Sequence, residues 1–186
     1  PMGVDSHTTF IPPAQNVSRK GLLFVGRLVE KKGIEYLLRA LPRVLASHPD
    51  ERLTVIGDGP LKQALVALCN TLDIADHVTF TGPLTNRDIP RYLQTSAIAV
   101  FPSVVTDSGD QEGTPVAIME SLACGCATIA ADYPGVRDII SDKETGLIVA
   151  GKSPAGIAQA VLTLLDDRDL RLNLSRNGRQ QVQEQY

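Results

Sequence analysis

The 186-residue chain lacks three features that would each place it in a well-defined class of protein. No apolar run approaches the roughly 20 residues that a helix needs to cross a bilayer. The three cysteines form no even framework, and Cys124 and Cys126 do not have zinc-site spacing, so we expect small buried thiols in a reducing, cytoplasmic compartment. Basic residues are scattered and the net charge is -3, which gives no support for nucleic-acid binding.

Recognisable terminal signals are also missing. No signal peptide opens the chain, and its last residues follow a helical pattern that has no cap. We therefore expect both ends to be boundaries inside a longer protein. Residues 1–20 contain Pro12 and Pro13 and carry no hydrophobic period, which predicts a linker or arm, whereas residues 21–186 are predicted to form one domain.

What the domain does have is a regular alternation of short apolar runs and amphipathic stretches. Predicted strands fall at 22–25, 53–56, 77–80, 97–101, 127–130 and 146–149. Predicted helices fall at 34–45, 61–72, 87–95, 115–124 and 136–140, and two further helical stretches close the chain. This pattern predicts an α/β fold with a doubly wound, Rossmann-like, six-stranded parallel sheet, whose ligands bind at the carboxyl ends of the strands.

The loop after the first predicted strand, residues 26–33 (GRLVEKKG), is basic. Gly26 allows a sharp turn off the strand, and Gly33 eases entry into the helix. Arg27 and Lys32 together offer a guanidinium fork and an ammonium, which suit a diphosphate. The alternative from this loop alone is a solvated basic segment paired with Glu30.

The loop after the second strand reads Gly57-Asp58-Gly59-Pro60. It resembles the start of a dinucleotide fingerprint, but the third glycine is missing, which disfavours a dinucleotide-dependent dehydrogenase. A tight turn and a ligand-binding loop both remain open for this segment.

The loop before the fourth predicted helix carries most of the chemical information. In Gly113-Thr114-Pro115, Thr114 is a suitable N-cap and Pro115 a suitable first helical residue, so free N–H groups of the helix would face a phosphate. Glu112 precedes this start and Glu120 lies inside the helix. A partly buried Glu120 needs partners, and sugar hydroxyls suit it. The alternatives are an acid that stabilises the helix dipole for Glu112 and a surface position for Glu120.

In combination these motifs resemble the carboxyl-terminal domain of retaining glycosyltransferases with the two-domain GT-B fold, in the family of sucrose synthase and bacterial mannosyl- and glucosyltransferases. The resemblance covers essentially the whole chain. It rests on the linker-like residues 3–5 and 10–12, on the spacing of the basic loop 26–33, and on the Glu-x(7)-Glu pair Glu112 and Glu120. Residues 106–111 are similar to members that build exopolysaccharides.

The resemblance implies a role for each matching residue. Arg27 and Lys32 would hold the donor diphosphate and, with Glu112, form the catalytic set. Glu112 would contact hydroxyls of the donor sugar, and Glu120 would hold the ribose. The remaining donor-binding residues would act mainly through main chain, with the base near the loop after the third strand: Gly26, Gly57, Gly82, Leu84, Gly113, Thr114 and Pro115.

The implied reaction moves a sugar from a nucleoside diphosphate to an acceptor hydroxyl and keeps the anomeric configuration. UDP-glucose is the expected donor, with GDP-mannose second. We find no Asp-x-Asp motif to chelate a divalent ion, so we expect neither a metal nor another cofactor. The expected partner is an absent amino-terminal acceptor domain, through which peripheral membrane association would occur.

Two departures from the family pattern and two alternative functions leave room for other interpretations. Residues 134–138 depart from the family's Gly-Gly-x-x-Glu segment, and Ala127 stands where a proline is frequent. A sugar-nucleotide epimerase of similar architecture would share the fold, although the glutamate pair and the basic loop argue against it. A non-catalytic module that binds nucleotide sugars remains a further alternative.

Overall fold

The computed structural model describes residues 4–13, 17–113 and 115–186. Six strands form one parallel sheet with the order β3-β2-β1-β4-β5-β6. The strands are β1 (Leu22–Val25), β2 (Leu53–Ile56), β3 (Val78–Gly82), β4 (Ile98–Phe101), β5 (Ala127–Ala131) and β6 (Leu147–Val149). The helices are α1 (Ile34–Ser47), α2 (Lys62–Thr71), α3 (Ile89–Thr95), α4 (Val116–Ala123), α5 (Pro154–Asp166) and α6 (Arg168–Gln185). The predicted fold class is confirmed.

The central strands are apolar because they are covered on both faces. In β1, Leu22 and Phe24 pack into one hydrophobic cluster, whereas Leu23 and Val25 pack into the other. This division follows from the two-residue period of a strand, which points successive side chains to opposite faces. The first cluster contains the buried faces of α1, α2 and α5, and the second contains those of α3 and α4.

The arm that precedes β1 lies against the second of these clusters. Val4 and Phe10 are both buried there. The Asp5 carboxylate accepts a hydrogen bond from the Thr8 backbone N–H at 2.9 Å and others from the hydroxyls of Thr8 and Thr9. These bonds lower the pKa of Asp5. Residues 1–3 and 14–16 of the predicted linker lie outside the described residues.

Two local predictions need correction. The stretch predicted as a helix at 136–140 forms successive turns instead, in which Val136 accepts hydrogen bonds from the N–H groups of Ile139 and Ile140. Five residues bounded by Gly135 are too few to sustain a helix without more turns. Helix α4 begins at Val116, one residue later than predicted, with Pro115 in the N-cap position.

None of the helices in the described parts of the chain is both long and apolar enough to span a membrane.

Candidate functional site

The order of the strands predicts a ligand crevice at the carboxyl ends of β1 and β4. Strands β1 and β4 are neighbours, and the chain continues outward from them in opposite directions, through β2 and β3 on one side and β5 and β6 on the other. In such sheets the loops after the two strands at this switch point separate and leave a crevice for a ligand. Here those loops are residues 26–33 after β1 and 102–115 after β4.

The two loops are joined by close backbone contacts. Gly33 has φ 62°, in the left-handed region, and a Cβ atom there would lie 2.0 Å from the carbonyl oxygen of Pro102. The Val104 N–H donates a 2.8 Å hydrogen bond to the Lys31 carbonyl. Gly33 is therefore needed both for its backbone conformation and for the approach of the second loop.

Lys32 and Glu112 meet across this crevice. The Lys32 Nζ atom lies 2.5 Å from Glu112 Oε2, and the two side chains are 21% and 15% exposed. Lys32 ends the short 3-10 turn Glu30–Lys32, which aims its side chain over Gly26. The structure thus brings together two of the three residues predicted as the catalytic set.

Arg27, the third member of that set, is exposed on the same loop. Within the described parts of the chain its side chain takes part in no hydrogen bond or ion pair. The same set of ion pairs contains no partner for Glu30, so the pairing with Glu30 that the alternative invoked is not present among the described residues. The loop's lysines instead reach the acidic loop after β4.

That acidic loop is held by lysines at several points. Lys31 Nζ lies 3.1 Å from Asp110 Oδ1, and Lys152 Nζ lies 2.9 Å from Asp107 Oδ1. Both pairs are substantially exposed, so each contributes little to stability by itself. Together with Lys32 and Glu112, they fix the course of the loop along the crevice.

The segment Gly57-Asp58-Gly59-Pro60 is a packed turn beneath the basic loop. A Cβ atom on Gly57 would lie 1.9 Å from the Gly26 carbonyl oxygen, and one on Gly59 would lie 2.5 Å from that of Leu28. The Leu28 N–H donates to the Asp58 carbonyl at 2.9 Å, and the Asp58 side chain accepts from the Gly59 N–H at 2.8 Å. The glycines therefore have a structural reason to be present, independent of any ligand.

The start of α4 lies beside Glu112. Gly113 is exposed, and a Cβ atom built on it would meet nothing within 4 Å. Pro115 is buried and its carbonyl accepts from the Ile118 N–H at 2.9 Å. The first N–H groups of a helix have no acceptor within the helix. Thr114, predicted as the N-cap and as a donor-binding residue, lies outside the described residues.

Glu120 is half-buried on α4, between apolar residues. Desolvation raises the pKa of its carboxyl group to about 7. The side chain makes no hydrogen bond or ion pair among the described residues. The partial burial of Glu120 on α4 disfavours the alternative of an ordinary surface position.

Gly82 and Leu84 follow β3, the edge strand two positions from β1. Gly82 has φ 78° and its carbonyl accepts the Gly57 N–H at 3.0 Å. Leu84 packs against the second hydrophobic cluster. These two residues share the edge of the sheet with Lys32 and Glu112 but make no hydrogen bond to either in the described chain.

Two neighbours of Glu112 were not singled out from the sequence. The Ser103 hydroxyl lies 3.5 Å from Glu112 Oε2, and the buried Tyr133 after β5 has a raised pKa, mainly through desolvation and next through the charge of Glu112. Their positions directly after β4 and β5 were the available signal, since carboxyl ends of neighbouring strands converge. Nothing in the motifs distinguished them from ordinary loop residues.

Comparison with known proteins then assigns the family. The model of the family described as Glycosyl transferases group 1 matches residues 7–181. The chain belongs to the group 1 glycosyltransferases. The resemblance inferred from the basic loop and the glutamate pair is thereby confirmed.

A similar curated protein is the GDP-mannose-dependent alpha-(1-6)-phosphatidylinositol monomannoside mannosyltransferase of Mycobacterium tuberculosis, 32% identical over 169 residues, 90% of this chain and 44% of the relative. The amylovoran biosynthesis glycosyltransferase AmsK of Erwinia amylovora is 32% identical over 144 residues, 77% of this chain and 34% of the relative. This group 1 chain thus spans less than half the length of either relative.

Among solved structures, the C-terminal domain of a group 1 glycosyl transferase, LpcC, from Francisella tularensis aligns with a TM-score of 0.85 and 26% identity. The alignment covers 99% of this chain and 98% of the LpcC domain. The fold of this group 1 chain is therefore that of a carboxyl-terminal GT-B domain.

The group 1 chain does contain one Asp-x-Asp sequence, outside the loops that follow the strands. Asp167-Arg168-Asp169 lies where α5 meets α6, and the Asp167 carboxylate caps α6 by accepting the Leu170 N–H at 2.8 Å. In the described part of the chain, no group of three or more His, Cys, Asp or Glu side chains is placed to hold a metal.

The residues 134–138, where the family pattern is altered, include Arg137, which forms two hydrogen bonds with Asp132 at 3.0 and 2.6 Å.

Proposed function

We propose that this chain is the donor-binding half of a retaining hexosyltransferase and that it holds a nucleoside-diphosphate sugar in the crevice between the loops after β1 and β4. The observation that carries the proposal is the Lys32–Glu112 pair at the switch point of the sheet. It joins a cation suited to a phosphate and an acceptor suited to sugar hydroxyls in one partly buried place.

The departing diphosphate presents the main electrostatic problem of the reaction. In the proposed complex, Lys32 and the exposed guanidinium of Arg27 bind the diphosphate oxygens, and the N–H groups at the start of α4 add further donors. These groups stabilise negative charge as it develops on the leaving group. The open space at Gly113 leaves room for the phosphate or sugar to approach the backbone.

The two glutamates bind opposite parts of the donor in this proposal. Glu112 accepts hydrogen bonds from hydroxyls of the transferred sugar, and Glu120 accepts them from the ribose. The half-buried and otherwise unpaired carboxylate of Glu120 supports this assignment, since hydroxyl donors would offset its desolvation. Gly82 and Leu84 would border the base, and Gly26 and Gly57 shape the floor beneath the diphosphate.

The identity of the donor is a finer proposal. The 32% identity to a protein named as GDP-mannose-dependent supports GDP-mannose, whereas the family resemblance by itself favours UDP-glucose. We therefore place GDP-mannose first and UDP-glucose second. The similarity to a glycosyltransferase named for amylovoran biosynthesis supports a role in polysaccharide or glycoconjugate synthesis.

The proposed reaction needs a second domain. Because the chain spans less than half of its relatives, the acceptor site and the remaining catalytic groups would belong to an amino-terminal domain. We propose a cytoplasmic protein that works without a metal, and we expect no sugar transfer by these 186 residues alone. Sugar transfer catalysed by this domain in isolation would contradict the assignment of the acceptor site to a second domain.

Isothermal titration calorimetry of the 186-residue chain tests the donor site directly. We expect binding of GDP-mannose or UDP-glucose that survives chelation by EDTA, with the plain nucleoside diphosphate keeping much of the affinity. Arg27→Ala and Lys32→Ala should each weaken binding by roughly tenfold or more, as expected for charge-assisted hydrogen bonds. Matched controls are Arg39→Ala on the exposed face of α1 and Lys31→Ala beside Lys32. Equal affinity of all four variants would rule out the basic loop as the diphosphate site.

A further inference from the structure

A groove of about 1060 Å³ lies at the amino ends of the strands, whereas the proposed donor crevice lies at their carboxyl ends. Its walls are the arm before β1 and helix α6, and its floor includes Ala97 and Gly125, which directly precede β4 and β5. None of the donor-binding residues that the structure describes lines it.

All charged residues that line this groove are arginines. They are five of the 18 basic residues in a chain whose net charge is -3: Arg19, Arg168, Arg171, Arg176 and Arg179. No acidic side chain is among the lining residues, and none of the ion pairs found in the described chain involves these arginines. Such a concentration of one sign of charge creates a local positive field along the groove.

Three of the five arginines also stabilise the fold through hydrogen bonds to helix ends. Arg19 donates to the carbonyl oxygens of Leu93 at 2.9 Å and Cys124 at 2.7 Å, at the ends of α3 and α4. Arg171 and Arg179 likewise donate to the last turns of α5 and α4. A guanidinium has five N–H donors, so these bonds leave donors available toward the groove.

Helix capping does not account for the other two arginines. Arg168 and Arg176 are exposed on α6, and the contacts of Arg176 are confined to its own helix, with Asn173 and Leu172. Arg168 makes no hydrogen bond or ion pair within the described residues. Arg168 and Arg176 therefore both have N–H donors that could bind an anion outside the domain.

Exposed apolar side chains flank the arginines. Val17 is 43% exposed and Leu172 is 40% exposed, and both line the groove. Ile11, 37% exposed, lies on the same arm. Arginines combined with solvent-exposed aliphatic side chains are typical of surfaces that rest on the headgroup region of an anionic bilayer.

We propose that the arginine groove docks this domain on an anionic phospholipid surface. The arginines bind headgroup phosphates, and Val17 and Leu172 contact the carbon atoms at the interface. Among the described residues, no aromatic side chain lines the groove, which disfavours single-stranded nucleic acid, since that class of ligand depends on base stacking. In this orientation the donor crevice, at the carboxyl ends of the strands, faces away from the bilayer.

Sedimentation with lipid vesicles tests the docking. The 186-residue chain should co-sediment with vesicles of phosphatidylcholine and phosphatidylglycerol, and not with pure phosphatidylcholine. The double variant Arg168→Glu with Arg176→Glu should weaken binding at least about tenfold, because both charges face the membrane. The matched control, Arg39→Glu with Arg43→Glu on α1, makes the same change in net charge away from the groove and should bind like the unmodified chain. Circular dichroism should show that both variants are folded.

Three further measurements separate the membrane from other anions. Leu172→Ser should lower the binding that persists at 0.5 M salt, where surface charge is screened to roughly 4 Å. Soluble glycerol 3-phosphate should compete only weakly, since it offers one phosphate and no apolar surface. The proposal is overturned if the chain does not bind the vesicles, or if both double variants lose vesicle binding equally. It is also overturned if the chain binds polyuridylate or polyglutamate through Arg168 and Arg176 but does not bind vesicles.

Discussion

Lys32 Nζ and Glu112 Oε2 lie 2.5 Å apart and connect the loops that follow β1 and β4. Lys32 and Glu112 lie far apart in the sequence, in different halves of the domain. The order of the strands nevertheless makes their loops neighbours. In this pair each charge is neutralised by the other. A bound diphosphate would compete with Glu112 for the ammonium of Lys32.

The competition leads to a prediction for Glu112→Gln. The amide keeps the shape of the side chain but removes its negative charge, so the free nucleoside diphosphate should bind several-fold more tightly to the variant. The additional affinity contributed by the sugar should fall, because a neutral amide is a weaker acceptor for hydroxyls.

Calorimetry with GDP, GDP-mannose, UDP and UDP-glucose measures both effects. Asp110→Asn, which neutralises the exposed partner of Lys31, serves as the control and should leave the ratio between sugar nucleotide and nucleotide unchanged. Weaker binding of plain nucleotide to Glu112→Gln would show that Glu112 does not oppose the diphosphate.

Glu120 should make stability depend on pH. Its pKa is raised to about 7 in the folded chain, from 4.5 when solvated, so between these values the folded state binds more protons than the unfolded state. Stability should therefore fall as pH rises from about 4.5 to 7 and should stay lower above pH 7. Glu120→Gln removes this dependence and should stabilise the domain at pH 8 by about 1 kcal/mol after allowance for partial exposure.

Thermal denaturation between pH 5 and pH 8 checks the prediction. Glu144→Gln, at an exposed position, is the matched control and should follow the unmodified chain. If Glu120→Gln and the unmodified chain lose stability in parallel across this range, Glu120 is solvated in solution. Donor binding should also weaken below pH 7, because a protonated Glu120 is a poorer acceptor for ribose hydroxyls.

Gly57→Ala should disrupt the floor of the donor crevice. Gly57 has φ 139°, and an added Cβ atom would lie 1.9 Å from the Gly26 carbonyl oxygen. Both the backbone conformation and the contact oppose a side chain, so we expect a loss of about 2–4 kcal/mol in the free energy of unfolding. Denaturant titration measures this loss. An unchanged midpoint would show that the two loops are not packed as the structure describes.

Gly113→Ala should weaken donor binding but leave the stability of the domain nearly unchanged. Its φ lies outside the left-handed region, and a Cβ atom would meet nothing within 4 Å, so the melting temperature should change little. Donor affinity should fall about tenfold, since the methyl group would occupy space proposed for the phosphate or sugar. Comparison of melting temperature with calorimetric affinity separates these outcomes. Unchanged affinity would place the ligand away from the start of α4.

Much of the fold followed from local patterns in the sequence. The apolar runs at Leu22, Leu53 and Ile98 begin strands because their flanking residues are turn formers and their side chains suit burial on both faces. The turns at 136–140 were misjudged as a helix because short apolar spacing does not distinguish a helix from a series of turns. The donor-binding roles of the site residues stay predictions, with their tests given above.

The site is a different case, because its geometry depends on residues far apart in the chain. The motifs identified Lys32 and Glu112, whereas Ser103 and Tyr133 belong to no motif and were indicated only by their positions after two neighbouring strands. Nor did composition reveal the arginine groove, since its members come from the arm and from α6.

By itself, the sequence determined the alternation of strands and helices and the identity of the charged loops, because hydrophobic period and turn residues act over a few neighbouring positions. Only the tertiary structure decided which loops are in contact, how far each carboxylate is desolvated and which arginines lie on the same surface. Those outcomes depend on strand order and on packing between distant segments, and such contacts leave no local signal in the chain.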